Sequence, residues 1–140
     1  MGVQVIFATE RPVLTSLSEA IKIKMDYFHQ YFIGFNGAYI YDIKTHTIVH
    51  QQTLSTSQVN FLFQLAKKYH KKLWCYTDDL TKVIVNFNPV AENNPELAFF
   101  DGEFIQYDSA LTIQNKSYKC IVMDVHEKDD FIIAARGQNI

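Results

Sequence analysis

The feature that most constrains the fold is an apolar strand that runs straight into an amphipathic helix near the start of the chain. Val3, Val5, Ile6 and Phe7 form a short, nearly continuous run rich in β-branched residues. Such a run reads as a strand buried on both faces, as in a parallel sheet. The turn Ala8-Thr9-Glu10-Arg11-Pro12 follows at once. Pro12 suits a first helical turn, where its missing N–H is not needed. Leu14, Leu17, Ile21 and Met25 recur at spacings of three and four, which predicts one apolar helix face fading near Lys24.

A strand feeding a helix N-terminus leaves unpaired backbone N–H groups and a positive dipole end at the turn. An anion can sit there. Thr9 adds a hydroxyl donor, and Arg11 a planar fork of donors suited to phosphate or carboxylate. The alternative is that Thr9 and Glu10 cap the helix while Arg11 is a solvated surface charge. These five residues alone leave both readings open.

Further along, Tyr31 to Phe35 and Ala38 to Ile43 read as strands joined by Asn36-Gly37, two residues that tolerate positive φ and so signal a hairpin. Thr47 to Thr53 reads as another strand. Ser55 is a natural N-cap for a helix burying Val59, Leu62, Phe63, Leu65 and Ala66. Lys67, Lys68, His70, Lys71 and Lys72 at its end offset the negative end of the helix dipole. Leu73 to Tyr76 and Lys82 to Phe87 flank the turn Thr77-Asp78-Asp79, and Asn88 to Pro95 is the long loop, because its prolines interrupt both periodicities. Glu103 to Tyr107, Leu111 to Ile113 and Tyr118 to Val125 complete the strands, and Glu127 to Ala135 starts a helix. Antiparallel pairs linked by helices imply an open, mostly antiparallel sheet with helices on one face.

Composition excludes several functions. A net charge of −2, from 13 basic and 15 acidic residues, gives no electrostatic case for nucleic acid. No apolar run is long enough to span a bilayer and no signal segment is visible, so a cytoplasmic protein is the default. Cys75 and Cys120 lie in apolar stretches without a C-x-x-C pairing, which predicts buried free thiols.

The strand-turn-helix ATERP, followed by Phe35-Asn36-Gly37-Ala38-Tyr39-Ile40-Tyr41-Asp42, resembles the Cof-type haloacid dehalogenase-like phosphatases. The likeness runs on through the helix Leu54 to Tyr69, the turn Tyr76-Thr77-Asp78-Asp79 and Tyr118-Lys119, and covers most of the chain. The resemblance implies an α/β protein in which residues 1–35 are a strand-helix remnant of a doubly wound core and residues 36–140 an α+β cap. It implies that Thr9, Glu10, Arg11, Asn36 and Gly37 bind phosphate or substrate. Complete members attack phosphorus with an aspartate in a D-x-D motif, bind magnesium through that residue and a late G-D-x-x-x-D segment, and use a lysine on the phosphoryl oxygens. None of these three motifs occurs in this chain. Asp78-Asp79 and the group Asp124, His126, Glu127, Asp129 and Asp130 have other spacings and read as caps rather than metal ligands.

The expectation is therefore a fragment or truncated homologue of a phosphatase acting on small phosphorylated metabolites, inactive alone and needing no cofactor of its own. A non-catalytic sugar-phosphate-binding module and an oligomerising domain are the alternatives. Glu10 stands where the resembled family has glycine. A carboxylate about 5 Å from a bound phosphate costs on the order of 3 kcal/mol at an effective dielectric near 20, before screening, and the alternative is that Glu10 points away and pairs with Arg11 or a lysine. Val3 to Ala8, without its neighbours in a parallel sheet, is expected either to pair with a second copy in a homodimer or to belong to a rearranged N-terminal segment.

Overall fold

Two four-stranded mixed sheets organise the chain, in the orders β1-β2-β3-β4 and β7-β6-β5-β8. The computed structural model describes residues 6–28, 31–110, 112–138 and 140, with Phe28 described by its backbone alone. Residues 1–52 with 98–101 form one compact unit, and residues 53–97 with 102–140 a second. With four helices among the described residues, the fold is mixed α/β.

The first unit contains β1 (Phe7–Ala8), α1 (Val13–Lys22), α2 (Met25–Phe28), β2 (Tyr31–Gly34), β3 (Tyr39–Asp42) and β4 (Thr47–Gln51). β1 pairs parallel to β2, whereas β2, β3 and β4 pair antiparallel. Phe7 faces Phe32 in register and their rings stack at 5.6 Å. Val3 to Val5 lie outside the described residues. Burial on both faces is not met at the start of β1, where Ile6 is 54% exposed. The reason is topological: among the described residues, β1 pairs with β2 alone. The hairpin β3–β4 pairs onto β2 and belongs to the first unit.

Helix α1 buries Val13, Ser16 and Ala20, while Leu14 and Ile21 of the expected apolar stripe are exposed. Close approach explains this rotation. A Cβ at Gly34 would lie 2.9 Å from Val13 Cγ2 and 3.0 Å from Phe32 Cε1. The helix therefore presses its small residues against β2 and turns its bulkier ones outward.

The connection between β2 and β3 differs from the expected two-residue turn. Phe35, Asn36 and Gly37 have φ of 48°, 56° and 93°. Three consecutive left-handed residues coil the chain into a short turn, so β2 ends at Gly34 and β3 begins at Tyr39. In the next turn the buried Asp42 accepts the N–H groups of Lys44 and Thr45 through Oδ1.

The second unit contains α3 (Thr56–Lys68), β5 (Leu73–Thr77), β6 (Lys82–Val85), β7 (Glu103–Gln106), β8 (Ser117–Val122) and α4 (Asp130–Arg136). Ser55 caps α3 reciprocally: its Oγ accepts from Gln58 N, and its own N–H donates to Gln58 Oε1. The helix ends with His70 at φ 54° and the Lys71 N–H donating to Ala66 O, a Schellman closure. β5 pairs antiparallel to β6 and β8, and β6 pairs parallel to β7. Val59, Leu62, Phe63 and Ala66 of α3 meet Phe131 and Ala135 of α4 over Leu73, Cys75 and Ile84, so both helices cover one sheet face. Burying these side chains at about 25 cal/mol per Å² is the main stabilising contribution to this unit.

On the opposite face, Trp74, Tyr76, Val83 and Val85 are buried. Tyr76 donates its hydroxyl to Glu96 Oε2 at 2.6 Å, tying the segment after β6 to that face. Burial, with the Glu96 bond second, pushes the Tyr76 phenol well above its ordinary pKa.

Two expectations are corrected here. Cys75 and Cys120 are not free thiols: β5 and β8 set them directly opposite one another and a disulfide joins them. Thr112 and Ile113 are not in a strand, and Leu111 lies outside the described residues. Asn60 of α3 accepts the Ile113 N–H and donates to the Ile113 carbonyl, each at 2.9 Å, so a side-chain amide takes the place of a neighbouring strand.

Candidate functional site

At the carboxyl end of β1 a cavity of about 470 Å³ is lined by Ala8, Thr9, Glu10, Ile33, Asn36 and Gly37. The Thr9 backbone builds its frame. Its N–H donates to Ile33 O at 2.9 Å, and its carbonyl accepts from Asn36 N at 3.3 Å. Strand β1 is thereby pinned to both the end of β2 and the left-handed turn beyond it. A Cβ at Gly37 would meet nothing within 4 Å, so the turn's backbone is open to approach.

Thr9 Oγ1 accepts from the Arg11 N–H at 3.1 Å, which leaves the hydroxyl proton to donate elsewhere. Helix α1 has Pro12 at its N-cap position and no side-chain capping bond. Thr9 thus closes its own turn instead of capping the helix. Glu10 is exposed and is the one charged residue in the lining.

Arg11 is placed elsewhere. Its guanidinium lies 4.7 Å from the centre of the Phe99 ring, and Phe99 O accepts from Thr15 Oγ1 at 2.8 Å. Of the five residues selected from the sequence, Thr9, Glu10, Asn36 and Gly37 share the cavity wall and Arg11 does not. Phe99 had no local signal that could reveal it, because it meets Arg11 only through tertiary packing. Ile33 was legible as a strand residue but not as a wall.

The other charged groups serve the scaffold. Lys71 pairs with Asp129 and Lys72 with Glu92, both at 2.6 Å. Lys67 Nζ lies 3.3 Å from Ser109 Oγ, and Lys68 lies over the Tyr69 ring. Asp79 accepts the N–H and hydroxyl of Thr81 and pairs with Lys82, and Asp129 caps α4 through the Phe131 N–H. Among the described residues, no three His, Cys, Asp or Glu side chains lie close enough to hold a metal ion.

The sequence matches the family model of haloacid dehalogenase-like hydrolases over residues 1–139. The chain belongs to that family. No curated protein matches it. Among solved structures it is similar to a haloacid dehalogenase-like hydrolase from Bacteroides thetaiotaomicron, with a TM-score of 0.68 and 17% identity over 98% of this chain and 50% of that one. A hypothetical protein from Geobacillus kaustophilus gives a TM-score of 0.67 and 19% identity over 97% and 50%. A subclass IIB sugar phosphatase of the HAD superfamily gives 0.56 and 16% over 81% and 43%. The chain spans about half the length of these structures.

For a haloacid dehalogenase-like hydrolase the resemblance implies magnesium, and the residues around Thr9 do not fit it. A magnesium ion takes oxygen ligands in near-octahedral geometry. The cavity offers one carboxylate, that of Glu10.

Proposed function

We propose that this chain supplies a phosphate-binding junction and the substrate-selecting cap of a phosphatase acting on small phosphorylated metabolites, and that it does not cleave phosphoesters by itself. The observation that carries the reading is the Thr9 cavity. Thr9 sits at the end of a strand beside a left-handed turn, its hydroxyl oxygen already accepts from Arg11 N–H, and its proton is available to a phosphoryl oxygen. The Asn36 side chain is exposed beside the open backbone of Gly37.

Binding and cleavage separate in this reading. Phosphoryl transfer depends on a nucleophile, charge neutralisation and positioning. The cavity supplies donors for positioning, while its one carboxylate, Glu10, opposes an anion. Titration with inorganic phosphate and with a sugar phosphate tests this. Weak binding by the natural chain, lost in Thr9→Val and strengthened about ten- to hundredfold in Glu10→Gly, is the expected pattern. Absence of binding in all three overturns the anion site. Magnesium-dependent phosphate release from an aryl phosphate overturns the claim of inactivity.

A further inference from the structure

The two sulfurs of the disulfide are not equivalent. Cys75 lies in the middle of β5, fully buried, among Leu73, Ile84 and the apolar faces of α3 and α4. Cys120 lies opposite it on β8, an edge strand of its sheet, and is only partly buried. It also lines a cavity of about 350 Å³ with Leu54, Tyr118, Lys119, Phe131 and Ile132. The Ser117 hydroxyl lies 3.4 Å from Cys120 Sγ.

From this asymmetry we propose that Cys120 is a modification site for a small aliphatic thiol, which enters the cavity beside α4 and opens the Cys75–Cys120 bond by exchange. The incoming thiolate attacks Cys120 Sγ, the bond between the two cysteine sulfurs breaks, and Cys75 leaves as a thiolate that takes a proton from water. The product is a mixed disulfide on Cys120 and a thiol at Cys75. A second molecule of the thiol then attacks the small-molecule sulfur of the adduct, releasing Cys120 as a thiol and a small disulfide. Two electrons pass to the protein, and two thiols are oxidised to one disulfide.

Access selects the sulfur, since a thiolate must reach the atom it attacks. Departure of a thiolate into apolar surroundings is costly, so the exchange is slow rather than instantaneous. The adduct on Cys120 occupies space between β8 and α4, and the link between β5 and β8 is lost with it.

The folded chain, isolated without reductant, is incubated with reduced glutathione and the modified peptides are mapped by mass spectrometry. The expected result is a glutathione adduct on Cys120, with Cys75 becoming alkylatable only as the adduct appears. An adduct on Cys75, a bond that stays closed until the protein unfolds, or two free thiols in the isolated chain each overturn the proposal. A second measurement uses Cys75→Ser and Cys120→Ser with glutathione disulfide. Cys120 in the first variant is expected to react at least tenfold faster than Cys75 in the second, and equal rates overturn the assignment.

Discussion

The Arg11 guanidinium stands 4.7 Å from the centre of the Phe99 ring, and Phe99 is tied back to α1 through its carbonyl and the Thr15 hydroxyl. A cation that could serve an anion three residues from Ala8 is held on an aromatic face instead. Exposed contacts of this kind contribute about 0.5–1 kcal/mol. Replacing Phe99→Ala should therefore release Arg11 and raise phosphate affinity about two- to fivefold. Adding Arg11→Ala to that variant should erase the gain, as measured by calorimetric titration.

Ser55 and Gln58 close the capping box of α3, the helix that buries Val59, Leu62 and Phe63. Ser55→Ala should lower unfolding free energy by about 1 kcal/mol. Urea denaturation should show a lower midpoint with an unchanged slope, because the surface exposed on unfolding is the same.

The Lys71 ammonium, hydrogen-bonded at 2.6 Å, and the Phe131 N–H hold the Asp129 carboxyl below its usual range. A carboxyl that is more acidic folded than unfolded adds stability in full above the ordinary carboxylate range, near pH 4. That contribution falls away as pH drops through the lowered folded value. Lys71→Met should be less stable than the natural chain at neutral pH, and urea midpoints of the two should converge in acid.

Among the described residues, β1 pairs with β2 alone, and Ile6 just before it is 54% exposed. β4, at the other edge, exposes all five of its residues, including Ile48 and Val49. Open apolar edges recruit further strands. Sedimentation should show a concentration-dependent dimer, with Ile6→Lys weakening it if β1 is the contact and Ile48→Lys if β4 is.

How far the sequence foretold this structure can be judged element by element. α3 was legible in full, from its Ser55 cap to each buried residue, because capping and periodicity both act within the helix. Most strands of the second unit, with helices on one face, were legible from alternating strands and turns, but the parallel pairing of β7 with β6 was not. α1 was read only in part: of its expected stripe Met25 is buried and Leu17 half-buried, while Leu14 and Ile21 are exposed because Gly34 on another element set how the helix could pack. The same limit applies at the candidate site. Thr9 was marked by its hydroxyl at a strand-to-helix turn, and Glu10, Asn36 and Gly37 by the family resemblance alone, whereas the turning of Arg11 toward Phe99 depends on chain segments far apart in sequence. The Cys75–Cys120 bond was hidden for that reason too, since it follows from strand register.

Gly34 and Val13 occupy what amounts to a single allotment of space, with the missing Cβ of one filled by the methyl of the other. A side chain at 34 is blocked while valine stands at 13. An alanine at 34 therefore asks for a smaller residue at 13 and for a shift of the buried Phe32 ring as well.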